Sequence, residues 1–184
     1  RAAWVAVRDG DRIAALRGTD GEAPVAPAAG PRGALRVLDA LVRWYAQPQR
    51  DDAGLLAALE HARRLLRPGS RLVVPADPGS IAAIPPERWF GLAAHHELVV
   101  LLLTDPLERM PLAASLPFAT ATGGRVELAL EGAATRRRWH QEFSVPLEAT
   151  LESLRARGIR AMELSSADPS DAWLPLLERA VRPR

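Results

Sequence analysis

The strongest pattern of apolar and polar positions in the chain is an unbroken apolar run. Leu98 to Leu103 reads L-V-V-L-L-L, without any alternation of polar side chains. Such runs are typical of strands that are covered on both faces at the centre of a parallel sheet. The run ends just before Asp105-Pro106, where proline has no backbone N–H to donate. The pattern therefore predicts a buried central strand that ends at an aspartate.

Two further apolar segments end in the same way. Leu72 to Val74 leads to Asp77-Pro78, and Ile159 to Leu164 leads to Asp168-Pro169. In a parallel sheet, the carboxyl ends of the strands lie at one edge, where α/β proteins bind ligands. We therefore expect these two aspartates to meet Asp105 there. They are either part of a metal or phosphate site or simple caps of turns and helices, and the frequency of aspartate in turns favours caps.

Helical and extended patterns alternate along the rest of the chain. Helices are predicted over 1–8, 34–46, 53–67, 85–95, 134–157 and 171–181, and strands over 12–17, 23–28, 71–75, 98–103, 118–122, 125–130 and 159–164. Strands that alternate with helices predict an α/β fold, here a three-layer sandwich with a mostly parallel sheet and helices on both faces. At 184 residues, a single domain over residues 1–184 is the simplest organisation.

Some details of these segments are also predicted. In the helix over 34–46, Leu35, Leu38, Leu41, Val42 and Tyr45 recur at helical spacing, so we expect them to face the core. The helix over 134–157 contains a proline at position 146, which predicts a kink or break just before it. The stretch 107–117 shows no regular pattern.

Composition narrows the classes of function. The chain has 24 basic and 22 acidic residues and a net charge of +2, a balance that does not indicate a nucleic-acid binder. It has no cysteine, which excludes disulfides and thiolate metal sites. No run of about 18 apolar residues is present, so no membrane-spanning helix is expected. Lysine and asparagine are also missing, which indicates a high-GC, bacterial genome. Because the chain starts at Arg1, with Arg1 to Arg8 patterned like the end of a helix, we expect a fragment of a longer protein.

Named catalytic motifs are not found. The sequence has no P-loop, no G-x-G-x-x-G after a strand and no G-x-S-x-G elbow. His95-His96 precedes Glu97, but adjacent residues on a helix point in different directions, and a helix C-terminus is a favourable place for histidine. Arg136 to Arg138, followed by Trp139, fits a solvated helix face better than a basic binding patch, and the spread-out tryptophans indicate core packing.

The order of several short motifs carries a family resemblance. They are Gly10-Asp11-Arg12-Ile13-Ala14-Ala15-Leu16, Leu72-Val73-Val74 ending in Asp77, His96-Glu97-Leu98-Val99 leading to Asp105-Pro106, Glu108 and Pro111, Thr122-Gly123-Gly124, and Glu163-Leu164-Ser165 followed by Trp173-Leu174-Pro175. In this order the chain resembles the von Willebrand factor A-like part of bacterial proteins of domain-of-unknown-function family 58. Those proteins are often encoded beside MoxR-type AAA+ ATPases.

The resemblance implies a fold, and it allows the metal-ligand positions of the family to be compared with this sequence. Many such A domains hold magnesium at the carboxyl edge with an Asp-x-Ser-x-Ser loop, a threonine and an aspartate. Here only Asp77 matches, as the aspartate of the third loop. Ala53 or Gly54 stands where the threonine should be, and the first loop and its strand would lie upstream of Arg1. We therefore expect no metal or other cofactor in this chain, magnesium only with upstream residues, and a vacant strand position between segments 12–17 and 71–75.

The resemblance also implies a function. It indicates a non-enzymatic protein-interaction domain that acts with a MoxR-type AAA+ ATPase in assembly or maturation of other proteins. The partner would contact the carboxyl edge at Asp77, Asp105 and Glu108. The expected location is the cytoplasm, with any membrane anchor lying upstream.

Two other functions remain open from the sequence. One is a metal-assisted α/β hydrolase using carboxylates at the strand ends, Asp77 and Asp105, which magnesium titration of the chain by calorimetry would reveal. The other is a purely structural module of a membrane-anchored protein.

Overall fold

A computed structural model of the chain describes residues 1–18, 23–46, 54–119 and 123–177. The chain divides into two compact units. The first comprises Arg1–Leu72, Ile84–Leu98 and Leu174–Arg184, and the second comprises Val73–Ala83 and Val99–Trp173. The single domain expected over residues 1–184 stays a prediction. The turn predicted at 19–22 and the aspartates at 51 and 52 lie outside the described residues, as do Ala53 and Thr122.

The first unit contains a strand pair and most of its helices. Its elements are α1 (Ala2–Arg8), β1 (Arg12–Ala15), β2 (Val25–Ala29), α2 (Gly30–Ala46), α3 (Gly54–Leu65) and, later in the chain, α5 (Pro86–Ala93). β1 and β2 pair antiparallel, with Arg12 opposite Ala29, as the sequence predicted. α2 packs on both strands and on α1. Its closest approach is at Gly33, where an added Cβ would lie 2.4 Å from the carbonyl oxygen of Ala28.

The orientation of α2 corrects the sequence-based expectation. The buried face of the helix combines small residues with one large one, and its buried side chains are those of Ala34, Val37, Ala40 and Trp44. The predicted core stripe instead faces outward: Leu35 is 55% exposed, Val42 68% and Tyr45 90%. One reason is the short distance to β2 at the start of the helix, where Gly33 leaves no room for a Cβ beside the carbonyl oxygen of Ala28.

The parallel strands of the fold form one three-stranded sheet. Its strands are β3 (Arg71–Ala76), β4 (Glu97–Thr104) and β7 (Arg160–Ser165), in the order β3-β4-β7. β4 and β7 run parallel from the pair Val99 and Arg160 to the pair Thr104 and Ser165. The boundary between the two units falls inside β3 and β4.

β4 is buried as its apolar run predicted. Val99, Val100 and Leu102 are fully buried. Leu103, at 42% exposure, is the exception. The parallel α/β sheet is therefore confirmed, whereas the other strands of the described residues form two separate antiparallel pairs.

The remaining elements of the second unit follow the sheet strands. They are α4 (Pro78–Ala82), α6 (Pro106–Arg109), β5 (Ser115–Ala119), β6 (Arg125–Ala129) and α7 (Ala133–Arg155). β5 and β6 form the predicted hairpin, with Phe118 opposite Val126. α7 contacts α4, α6 and β7.

Three predictions for these segments are wrong. The stretch 107–117 is not irregular, because it contains most of α6 and the start of β5. α7 continues through Pro146 without a break. Residues 171–173 form turns, and a short 3₁₀ helix at Leu174–Leu177 follows where a longer α-helix was expected; residues 178–181 lie outside the described part. No helix within the described ranges is long and apolar enough to cross a membrane.

Candidate functional site

Asp77 follows β3 and begins α4. Its Oδ1 accepts a hydrogen bond of 2.8 Å from the backbone N–H of Ser80, and its Oδ2 accepts one from the Ser80 hydroxyl. Pro78 occupies the first turn of the helix, where its missing N–H costs nothing. Burial has the largest single effect and would raise the pKa of Asp77, but the hydrogen bonds from Ser80 and from the backbone of Asp77 and Gly79 together outweigh it, so the pKa lies below its ordinary value. Asp77 is thus held as a carboxylate.

Asp105 follows β4 and caps the next helix, as Asp77 does after β3. Its Oδ1 accepts a hydrogen bond of 2.9 Å from the backbone N–H of Leu107, which caps α6. Its Oδ2 accepts a longer bond of 3.3 Å from the hydroxyl of Ser166, just beyond β7. The carboxylate therefore links the ends of two neighbouring parallel strands.

Asp168 closes the turn after β7. Its Oδ2 accepts a hydrogen bond of 2.8 Å from the backbone N–H of Ser165. The capping role favoured by the sequence is thus confirmed for all three aspartates, since each accepts a bond from a backbone N–H within three residues.

The pKa of Glu108 is affected by the charges of other acidic residues. Burial raises the pKa of its carboxyl above the ordinary value, and the charges of Asp105, Asp77 and Glu163 raise it further, against a hydrogen bond from the backbone of Asp105. The half-buried Glu108 therefore sits in a negative field at the carboxyl edge of the sheet. Asp77 and Asp105 thus both act on Glu108 electrostatically. The role expected of these three residues as a contact surface for a partner stays a prediction.

A cluster around Arg109 was missed from the sequence. The Arg109 guanidinium donates to both carboxylate oxygens of Glu163 on β7, at 2.6 to 3.1 Å, and to Oε1 of Glu148 on α7 at 2.8 Å. The hydroxyl of Thr104 donates to the same Glu163 at 2.9 Å. Hydrogen bonds from Arg109 lower the pKa of Glu163, and the two glutamates raise that of Arg109. No local sequence signal marks this cluster, because Arg109 and Glu163 are 54 positions apart.

Trp139 on α7 also contacts α6. Its indole Nε1–H is shared between the carbonyl oxygens of Leu107 and Glu108, at 3.1 Å from each. Its ring lies against Phe118, with centroids 5.4 Å apart, and against Phe143 at 4.4 Å. The expectation of core packing is confirmed for Trp139, which is buried, but its polar contact with α6 could not be read from the sequence.

The donor set at the edge does not fit a divalent metal. Within residues 1–18, 23–46, 54–119 and 123–177, no group of three or more His, Cys, Asp or Glu side chains could hold a metal ion. The capping oxygens of Asp77 and Asp105 are already engaged by backbone N–H groups. The expected lack of a cofactor nevertheless stays a prediction.

The histidine pair and the arginine run differ in their contacts. The Nδ1 atom of His96 is buried without a hydrogen-bond partner. His95 accepts a backbone hydrogen bond of 2.7 Å from Gly69. Burial, with a smaller effect of His95, lowers the pKa of the half-buried His96. Arg136 donates to the carbonyl oxygens of Leu130 and Glu131 at the end of the hairpin.

Comparison of the chain with protein-family models, with curated proteins and with solved structures finds no match in any of the three.

Proposed function

We propose that the chain is a protein-interaction domain of the von Willebrand factor A type, without enzymatic activity of its own. In this proposal it acts with a MoxR-type AAA+ ATPase in assembly or maturation of other proteins. The partner binds at the carboxyl edge of the parallel sheet, on the surface formed by Asp77, Asp105 and Glu108, which is called the acidic edge below.

One observation carries the proposal. The three carboxyl groups of the acidic edge follow or adjoin the ends of neighbouring parallel strands, and their mutual repulsion contributes to the raised pKa of Glu108. A fold keeps like charges together at a cost to its own stability, and such perturbed groups concentrate at functional sites. The carboxyl edge is also where open α/β sheets bind their ligands. A basic surface on the partner would relieve the repulsion.

Strand pairing is in line with the A-domain resemblance. In an A domain the strand preceding α1 would lie between β1 and β3. Among the described residues, β1 pairs with β2 alone, and β3 is the terminal strand of its sheet. Circular dichroism and melting of residues 1–184 test this point, since a cooperative, stable monomer would count against a required additional strand.

Binding of the full-length protein to its neighbouring ATPase tests the function. Replacing all three acids with their amides, Asp77→Asn, Asp105→Asn and Glu108→Gln, removes charge while asparagine retains the ability to cap a helix. We expect the dissociation constant to rise about tenfold, which corresponds to about 1.4 kcal/mol. The wild-type complex should also weaken as salt is added, because exposed charges are screened.

A matched control is available on α7. Glu142→Gln removes an exposed carboxylate without touching the acidic edge, and it should leave the affinity unchanged. Lack of binding between the wild-type protein and a folded ATPase would contradict the proposal. Equal loss in the control and the triple variant would move the contact away from the acidic edge.

A further inference from the structure

α6 is too short to hold its own shape. It has four residues, Pro106–Arg109, whereas isolated helices shorter than about 12 residues are marginal in water. Yet this segment carries Glu108, whose carboxyl lies in the field of other acids. Repulsion favours moving Glu108 outward, so contacts elsewhere must keep the segment in place.

Two side chains supply those contacts, one on α6 itself and one on α7. Arg109, at the C-terminal end of α6, forms a two-oxygen contact with Glu163 on β7 and a further bond with Glu148 on α7. Trp139, on α7, donates to two carbonyl oxygens of the segment, which the short helix leaves without an intrahelical partner. Glu163 is in turn fixed by Thr104.

We propose that Arg109 and Trp139 are positioning residues that latch α6 onto β7 and α7 and thereby hold Glu108 in the acidic edge. The inference deepens the proposed function and rests on it for its biological meaning. The physical basis is that a planar guanidinium paired with both oxygens of a carboxylate fixes direction as well as distance. The buried indole adds a bond that phenylalanine at this position would not make, because phenylalanine has a ring but no N–H.

Amide hydrogen exchange of the free chain, measured by NMR, tests the latch without any partner. The reporters are the backbone N–H groups of Leu107, Glu108 and Met110, which bond to Asp105 and Pro106. In Trp139→Phe and in Arg109→Lys we expect their exchange to accelerate about tenfold, the loss of about one hydrogen bond to a charged or buried group. The amides of Val99 to Leu102 in β4 should keep their wild-type protection.

Two matched variants separate the latch from general loss of contacts. Trp173→Phe removes an indole bond of 3.2 Å to Ser170, and Arg88→Lys alters an exposed ion pair of 2.7 Å with Glu60. Neither should change exchange at α6. Glu148→Gln removes one partially exposed partner of Arg109 without disturbing the core, and should accelerate exchange at α6 about threefold.

The outcomes are distinct. Unchanged exchange at α6 in Arg109→Lys and Glu148→Gln, or equal acceleration in α6 and β4, would overturn the latch. Accelerated exchange limited to α6 supports it, even if the ATPase does not bind and the proposed function fails. If the ATPase does bind, Arg109→Lys should weaken binding although it changes neither the net charge nor any acid of the edge.

Discussion

β4 and α2 have the two clearest apolar patterns in the chain, but the apolar run of β4 is buried whereas the apolar stripe of α2 is exposed. The apolar run of β4 is buried from Leu98 to Leu102. The apolar stripe of α2, including Val42 and Tyr45, is exposed, and a face that combines small residues with Trp44 is buried instead. The same kind of signal was therefore reliable for a strand and misleading for a helix.

The difference comes from how many orientations each pattern allows. A strand that is apolar on both faces is buried whichever way it turns. α2 has apolar residues on more than one face, with Val37 and Trp44 buried and Val42 exposed, so its pattern alone allows more than one orientation. Close packing then decides the orientation, and it favours Gly33 and Ala40, which let the backbones approach.

The largest expected effect tests the burial of β4. Leu102→Ala removes a fully buried side chain and leaves a cavity, so we expect the free energy of unfolding to fall by about 2–5 kcal/mol. Chemical denaturation of the full chain measures the change. A loss below about 1 kcal/mol would show that the strand is not packed on both faces.

The second effect tests the close approach of α2 to β2. Gly33→Ala places a methyl group 2.4 Å from the Ala28 carbonyl oxygen, and moving the helix away should cost about 1–3 kcal/mol of unfolding free energy. Gly91→Ala on α5 is the matched control, since a Cβ there meets nothing within 4 Å. It should stabilise the helix by up to about 1 kcal/mol. Equal effects of the two substitutions would contradict the orientation of α2.

The third effect compares polar contacts beside β4 with those on α2. The pKa of Glu163 is lowered, mainly by hydrogen bonds from Arg109, so its ionised form favours the fold. This stability is fully present above its ordinary pKa of 4.5 and is lost as pH falls through the lower folded value. Glu163→Gln should therefore cost about 1 kcal/mol at pH 7 and less at pH 3.

Melting curves at several pH values measure this difference. Asp39→Asn, which breaks the exposed pair with Arg43 on α2, is the control and should change stability by less than about 0.5 kcal/mol. A Glu163→Gln cost that stays the same from pH 7 to pH 3 would show that its charge does not matter.

The smallest effect concerns the exposed stripe of α2. Val42→Ala shortens a side chain that is 68% exposed, so it should change the unfolding free energy by less than about 0.5 kcal/mol. A cost above about 1 kcal/mol in the same denaturation assay would show that the stripe is buried in solution.

Local signals account for what was predictable. The parallel sheet, the hairpin and the capping aspartates each depend on neighbouring residues, such as the three-residue reach from Asp77 to Ser80. α6 was not predicted from the sequence, because a helix of four residues is too short to show a periodic pattern. The closeness of Asp105 to the end of β7 was predictable only through topology, because parallel strands bring their carboxyl ends together.

By itself, the sequence determined where the three strands of the parallel sheet end and which aspartates cap the following turns, because these bonds close within a few residues. The tertiary structure decided which face of α2 is buried and how α6 is held. Trp139 is 32 positions from Leu107, and Arg109 is 54 from Glu163. Contacts at such separations depend on how whole elements pack, and packing selects among orientations that the local pattern allows equally.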